Sequence, residues 1–137
     1  MNKILFGLLV TISVAAHAQT VTYTCDGEQQ TTVFQSLYNL KKERVVSNKV
    51  TSTHFTATLD RTLRTITLSN GEKIENVVDT GGDIVGYYDD KQTGSVVINP
   101  VNKTYRVWVD TELKNPDSER IAYEYSERVS EGKCVAQ

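Results

Sequence analysis

The two cysteines of this chain, Cys25 and Cys134, lie near opposite ends of its 137 residues. They form no C-x-x-C redox pair, and even with His54 they offer one ligand fewer than a closed zinc site needs. Two cysteines in an exported domain are typical of a single disulfide. Because bridged Cα atoms lie within about 7 Å of each other, this bond would hold the first and last strands of a sheet side by side.

The N-terminus predicts export. Met1-Asn2-Lys3 is a short, positively charged start, residues 4–16 are largely apolar, and Ala16-His17-Ala18 places small residues around a larger one. These are the parts of a secretory signal peptide cleaved after Ala18, and the apolar run is shorter than the ~20 residues that span a bilayer. The short signal is typical of bacteria. We therefore expect residues 1–18 to be removed and residues 19–137 to form one periplasmic or secreted domain, in which Cys25 lies too far from the new N-terminus for a lipid anchor.

The charge of the mature domain limits the kinds of partner that we expect it to bind. Cleavage would leave 14 Lys plus Arg against 17 Asp plus Glu, a formal charge of about −3. A small acidic excess without a basic cluster argues against nucleic acid or an anionic membrane surface as a partner. No later stretch of the sequence is apolar enough to predict a transmembrane segment.

Alternating apolar and polar residues predict strands along most of the domain. Thr20–Cys25 alternates until Asp26-Gly27, a pair typical of a turn, and Asn70-Gly71 is a strong hairpin signal. Further segments of this kind recur every eight to twelve residues, namely 53–59, 63–68, 73–78, 84–88, 95–99, 105–109, 121–125 and a last short piece that carries Cys134. This spacing predicts an all-β fold, a small antiparallel up-and-down β-barrel or meander of about eight strands, with a β-sandwich as the alternative.

Residues 31–44 fit two kinds of structure. Val33, Leu37 and Leu40 have helical spacing, and the basic residues at 41, 42 and 44 would suit a helix C-terminus. The same segment also permits a strand with Phe34, Ser36, Tyr38 and Leu40 on one face. We favour one short helix near residues 32–43 and keep the strand as the alternative.

The sequence contains no recognisable catalytic constellation. A G-x-S-x-G elbow is absent, and His54 lies on the threonine-bearing face of an alternating strand, which is typical of an exposed or rim position. The acidic residues at 79, 83, 89 and 90 match no calcium loop and are typical of solvated turns. We predict no catalytic residue, no metal site and no cofactor. A pair of carboxylates that converge only in the folded chain remains open.

Aromatic residues give the one hint of a binding surface. Tyr and Trp combine apolar area with a polar tip and are common at interfaces. Tyr87, Tyr88 and Trp108 are therefore the candidate binding surface, although adjacent Tyr87 and Tyr88 should face opposite sides of a strand. We expect most of the other rings to fill the interior of a small barrel.

The two ends of the chain resemble those of the bacterial inhibitors of C-type lysozyme. The residues that carry the resemblance are Tyr23-Thr24-Cys25-Asp26-Gly27 and the late Cys134. That family consists of small periplasmic or lipid-anchored β-barrels with an early Tyr-x-Cys and a late cysteine. Its inhibitory Ser-Gly-x-x-Tyr and Phe-Trp-Ser-x-Gly motifs have no match here, so no inhibitory residue is carried over.

These observations predict a non-enzymatic binding or interaction protein of the bacterial cell envelope, which would meet a protein or a small apolar ligand. A periplasmic inhibitor of a lysozyme-like hydrolase is one alternative, implied by the resemblance. A carboxylate-dependent hydrolase is the other.

Overall fold

Eight antiparallel strands follow one another around a closed ring. The computed structural model describes residues 19–37, 43–88, 92–113 and 121–137. The strands are β1 (Thr20–Leu37), β2 (Glu43–Asp60), β3 (Thr65–Leu68), β4 (Lys73–Asp79), β5 (Ile84–Tyr87), β6 (Gln92–Asn99), β7 (Thr104–Glu112) and β8 (Ile121–Ala136). Each pairs with its neighbours in sequence, and β1 also pairs with β8. The expected up-and-down barrel is therefore confirmed, and the sandwich alternative is wrong because one sheet closes on itself.

Alternation along the strands creates the core, because successive side chains of a strand point to opposite faces. In β7, Tyr105, Val107 and Val109 point inward, whereas Trp108 points outward. The same period of two runs through the other strands and gives one buried apolar cluster, which consists of Tyr23, Cys25, Ala57, Leu59, Ile66, Leu68, Ile74, Val77, Ile84, Val96, Ile98, Tyr105, Val107, Val109 and Cys134.

The predicted disulfide is confirmed. Cys25 of β1 lies directly opposite Cys134 of β8, and the two are bonded across a Cα–Cα distance of 4.1 Å. Both are buried among the core side chains. The bond therefore joins the first strand to the last at the seam where the barrel closes.

Strand lengths are very unequal. β1 and β2 have 18 residues each and β8 has 16, whereas β3 and β5 have 4 each. The long strands therefore project beyond the short ones at residues 28–37, 43–55 and 121–131. β3 pairs with β2 only at residues 57–60. Within the described ranges, residues 43–55 of β2 thus have a neighbouring strand on one side alone, which is β1.

The turn expected at Asp26-Gly27 is wrong, because β1 continues through both residues. Gly27 lies opposite Gly132 of β8, and a Cβ on Gly27 would come within 2.5 Å of the Tyr105 hydroxyl. Glycine here serves close packing inside a strand and does not form a turn. The same continuity joins the two expected C-terminal pieces into the single strand β8.

The short helix favoured near residues 32–43 is wrong wherever the structure describes that segment. Residues 32–37 belong to β1, Glu43 and Arg44 begin β2, and residues 38–42 lie outside the described residues. Gln35 shows why the strand wins. Its side-chain oxygen accepts hydrogen bonds from Arg44 Nε at 3.0 Å and Nη2 at 2.7 Å, and its amide donates to Glu124 on the other side at 2.5 Å. Pairing of β1 on both edges overrides the local helical spacing.

No helix in the described ranges could cross a bilayer. Residues 1–18 lie outside the described residues, so the signal peptide stays a prediction.

Candidate functional site

The barrel interior is filled by its own side chains. Ile66, Ile74, Ile84 and Ile98 are among the fully buried residues, with at most 1% of their surface exposed. An eight-stranded barrel is only just wide enough for such side chains, so a filled lumen is the expected packing. The middle of the barrel is therefore occupied by side chains, and a pocket of about 290 Å³ lined by Phe55, Leu68, Val107 and Ser130 opens at its margin.

A polar network lies at the partly buried margin of this interior. The Tyr88 hydroxyl donates a hydrogen bond of 2.6 Å to Glu72, and Arg128 Nη2 lies 3.2 Å from the same carboxylate. Burial alone raises the pKa of Glu72, but the hydrogen bond from Tyr88 and the charge of Arg128 together hold it below its ordinary value. Burial, reinforced by the bond to Glu72, raises the pKa of Tyr88. The three side chains are thus a structural unit with matched charges.

Two of the three residues of the expected binding surface share a face. Trp108 of β7 and Tyr87 of β5 both lie opposite Ser95 of β6, and residues that lie opposite each other point to the same side of a sheet. Tyr87 is 62% exposed and faces outward with the half-buried Trp108. Tyr88 points the other way and packs against the core. The structure therefore brings Tyr87 and Trp108 to one surface and removes Tyr88 from it.

The outer face also carries a larger aromatic group that the sequence did not single out. Phe34 of β1 stacks on Tyr125 of β8 with ring centroids 5.0 Å apart, and Tyr123 lies 5.5 Å from Tyr125. Val129 of β8 lies opposite Trp108 and continues the row. The available signal was the period of two in β8, which places Tyr123, Tyr125 and Val129 on one face. The expectation that most rings fill the barrel holds for Tyr23, Phe55, Tyr88 and Tyr105 but not for these outer rings.

Carboxylates surround the outer aromatic residues. Tyr125 donates a 3.1 Å hydrogen bond to Glu43, and burial together with this bond raises the pKa of Tyr125 to about 12. Asp110 lies opposite Glu127 on the same face, and burial followed by the charge of Glu127 raises the pKa of Asp110. One oxygen of Asp110 is buried and has no hydrogen-bond partner among the described residues. The face therefore carries unneutralised negative charge.

A groove of about 560 Å³ runs beside the aromatic row. Glu28, Gln30, Val50, Val129 and Glu131 line it together with Gly27. Glu131 is paired with Arg106 at 3.2 Å, and both side chains are largely exposed. We call the aromatic row and its carboxylates the outer-face site, which consists of Phe34, Trp108, Tyr123, Tyr125, Val129, Glu28, Glu43, Asp110, Glu127 and Glu131.

The remaining candidate residues, which are His54 and the acidic turn residues, have neighbours that fit structural roles. His54 Nδ1 lies 2.5 Å from Asp26 at an exposed position, as expected of a rim histidine. Asp79 accepts the Gly81 amide proton, and Asp83 accepts a hydrogen bond from Asn99, so both stabilise turns. Asp89 and Asp90 lie outside the described residues. In the part of the chain that the structure describes, no three acidic, histidine or cysteine side chains group closely enough to hold a metal ion.

Comparison with known proteins adds no relative to this description. No protein-family model matches the chain, and no curated protein matches it significantly.

Proposed function

We propose that this protein is an exported, non-enzymatic binding protein of the bacterial cell envelope, and that it recognises a basic protein through the outer-face site. The observation that carries the proposal is the contrast between the two sides of the sheet. Inside, apolar side chains fill the middle of the barrel, whereas outside, half-exposed aromatic rings lie among carboxylates. Tyr and Trp at a surface are typical of interface centres.

The charge of the site favours a cationic partner over a neutral one. Glu28, Asp110 and Glu127 have no basic residue opposite them in the sheet register, since their cross-strand neighbours are serine, threonine or another carboxylate. Desolvating unpaired carboxylates against a neutral surface would be costly, while lysine or arginine from a partner would offset that cost. An acidic, aromatic face therefore supports recognition of a basic surface.

Charge reversal within the site tests the proposal. We expect Glu28→Lys to weaken capture of basic proteins from a cell-envelope extract at least about tenfold, with wild-type binding falling as salt increases. Glu75→Lys is the matched control, because Glu75 is an exposed carboxylate on β4, far around the barrel from β1. Equal loss of binding in both variants, or captured proteins without an excess of basic residues, would contradict the proposal.

A lysozyme-like hydrolase is one specific partner to test. Two features support it: the chain forms a small closed barrel, which the resemblance to lysozyme inhibitors implies, and its early and late cysteines are the ones that carry that resemblance. Addition of the purified protein to a C-type lysozyme should then slow cell-wall lysis, and Glu28→Lys should relieve that inhibition. Lysis at an unchanged rate would remove this partner and leave the broader proposal to the capture experiment.

The alternative is a carboxylate-dependent hydrolase, and Asp110 with Glu127 is the pair that favours it. The two lie opposite each other, and the raised pKa of Asp110 is what a general acid requires. They lie on the outer face of a sheet and line none of the grooves described above. Glycosidase activity that Asp110→Asn abolishes would replace the binding proposal with this one.

A further inference from the structure

The open edge of β2 is the longest stretch of strand that lacks a neighbour in the described ranges. Residues 43–52 are exposed on both faces, and Val45, Val46 and Val50 are 57%, 50% and 62% exposed. Natural edge strands are usually short, covered or interrupted, because unpaired backbone groups attract further strands. This edge is long, and only one bulge, at Val46, interrupts its pairing with β1.

The backbone groups that face the open side can be identified. Ser69 N–H donates to the Thr56 carbonyl at 2.9 Å, and Thr56 N–H donates to Ser69 Oγ at 3.1 Å, so both backbone groups of Thr56 point away from β1. Backbone groups of alternate residues in an antiparallel strand point the same way. Those of Ser52, Val50 and Asn48 therefore also point outward, towards solvent.

We infer that a second copy of this chain pairs with the edge, so that β2 of each molecule forms an antiparallel ladder centred on Val50. In this register Val50 meets Val50, Asn48 meets Ser52, and Lys49 meets Thr51. Such a ladder makes about six backbone hydrogen bonds between the copies. It closes under twofold symmetry, as most homodimers do.

Charge favours this register over a neighbouring one. Sliding the strands by two residues in one direction would place Lys49 opposite Lys49, and like charges directly opposite destabilise a strand pair. With Val50 at the centre no two like charges meet. The ladder then spans Ser47 to Thr53, from the bulge at Val46 to a point short of Thr56, where Ser69 already occupies the edge. Residues 43–46 continue past this ladder, and the bulge at Val46 would turn them away from the edge position that Ser69 occupies in the other copy.

The pairing would also affect how the outer-face site works. A twofold axis perpendicular to a sheet keeps the same face of both copies on the same side, so the two outer-face sites would lie on one continuous surface. Two linked sites raise apparent affinity for a repetitive partner without any new contact. This consequence rests on the proposed function, whereas the dimer itself does not.

Sedimentation equilibrium of the exported protein tests the inference. A ladder of seven residues buries less than a standard interface, so we expect a dissociation constant of about 10 µM to 1 mM. Val50→Lys places two like charges at the twofold axis and should weaken the dimer at least about tenfold. Val101→Lys is the matched control, because Val101 is a 77% exposed valine in the turn between β6 and β7 and carries the same change in charge.

A second variant separates backbone pairing from simple contact between valines. Val50→Pro stays apolar but removes an N–H that points to the open side, a change that edge strands tolerate. It should leave the circular dichroism spectrum unchanged and abolish the dimer. In wild-type protein, amide exchange at Val50 and Ser52 should slow as concentration increases. A monomer at 1 mM, or a dimer that persists in Val50→Pro, would overturn the inference.

Discussion

At the scale of single residues, Glu72 and Asp110 show how local surroundings determine the effect of a carboxyl on stability. Glu72 accepts a hydrogen bond from the Tyr88 hydroxyl and lies beside Arg128. The pKa of Glu72 is therefore lowered. Asp110 is partly buried next to Glu127, and its pKa is raised. Folding therefore favours the charged form of Glu72 and the neutral form of Asp110, which gives opposite dependences of stability on pH.

For Glu72 we expect Glu72→Gln to lower the free energy of unfolding by about 1–2 kcal/mol at pH 7, because hydrogen bonds to an ionised partner are lost. A lowered folded-state pKa stabilises above the ordinary value of 4.5, and that contribution disappears as pH falls through the folded-state pKa. Urea unfolding at pH 7 and pH 3 measures this. If the free energies of unfolding of wild type and variant differ as much at pH 3 as at pH 7, the ionised Glu72 carboxylate is not the source of the stabilisation.

For Asp110 the dependence of stability on pH has the opposite sign. Its raised pKa means that the folded state binds the proton more tightly, so stability falls as pH rises from the ordinary value of 3.8 through the folded-state pKa. We expect Asp110→Asn to raise the free energy of unfolding by about 0.5–1 kcal/mol at pH 7 and to change little at pH 3. Thermal unfolding at both pH values tests this. Destabilisation at pH 7 would mean that the carboxylate has a favourable partner.

At the scale of elements, the close contact of β1 and β8 depends on two glycines. Gly27 and Gly132 lie opposite each other near the disulfide, and the Tyr105 hydroxyl fills the space beside them while it bonds Ser130 at 2.8 Å. Side chains at these two positions would separate the strands at the seam of the barrel. The glycines therefore help to set how tightly the ring closes.

Gly132→Ala should lower the free energy of unfolding by about 2–3 kcal/mol, because its Cβ would overlap the Asp26 carbonyl oxygen and lie 2.5 Å from the Gly27 Cα. Gly82→Ala is the control, since no atom lies within 4 Å of a Cβ built there. Its free energy of unfolding should stay within about 0.5 kcal/mol of wild type. Denaturant unfolding of both variants gives the comparison, and equal stabilities would show that the seam adjusts without cost.

At the scale of the whole molecule, the disulfide joins residues 109 positions apart and closes nearly the entire domain into one loop. Linking distant residues restricts the unfolded chain far more than it changes the folded one. The long ladders that β1 forms with β2 and β8 also stabilise the closed barrel, because they hold both chain ends in one sheet.

Cys25→Ser should therefore lower the free energy of unfolding by about 2–5 kcal/mol while the circular dichroism spectrum stays that of a β-protein. The double variant Cys25→Ser with Cys134→Ser should be destabilised by a similar amount, since the bond can be lost only once. Chemical unfolding of the three proteins measures the effect. Two titratable thiols in the folded wild-type protein would contradict the bridge.

Sequence alone was sufficient for the class of fold. Alternation with a period of two, turn pairs such as Asn70-Gly71 and one cysteine near each end predict an antiparallel sheet whose first and last strands meet. These signals are local or depend only on chain order, so they can be read without coordinates. The same alternation separated the inward Tyr105 from the outward Trp108, although it left open which of the two faces lay inside.

Tertiary structure decided what depends on pairing across the chain. Gln35 lies in a strand rather than a helix because Arg44 and Glu124 bond it from both sides. Gly27 continues a strand because Gly132 and Tyr105 lie against it. The outer-face site and the open edge of β2 arise because β3 is short while β1, β2 and β8 are long. No local sequence pattern predicts these structural features, because each depends on partners many residues away that only the closed sheet brings together.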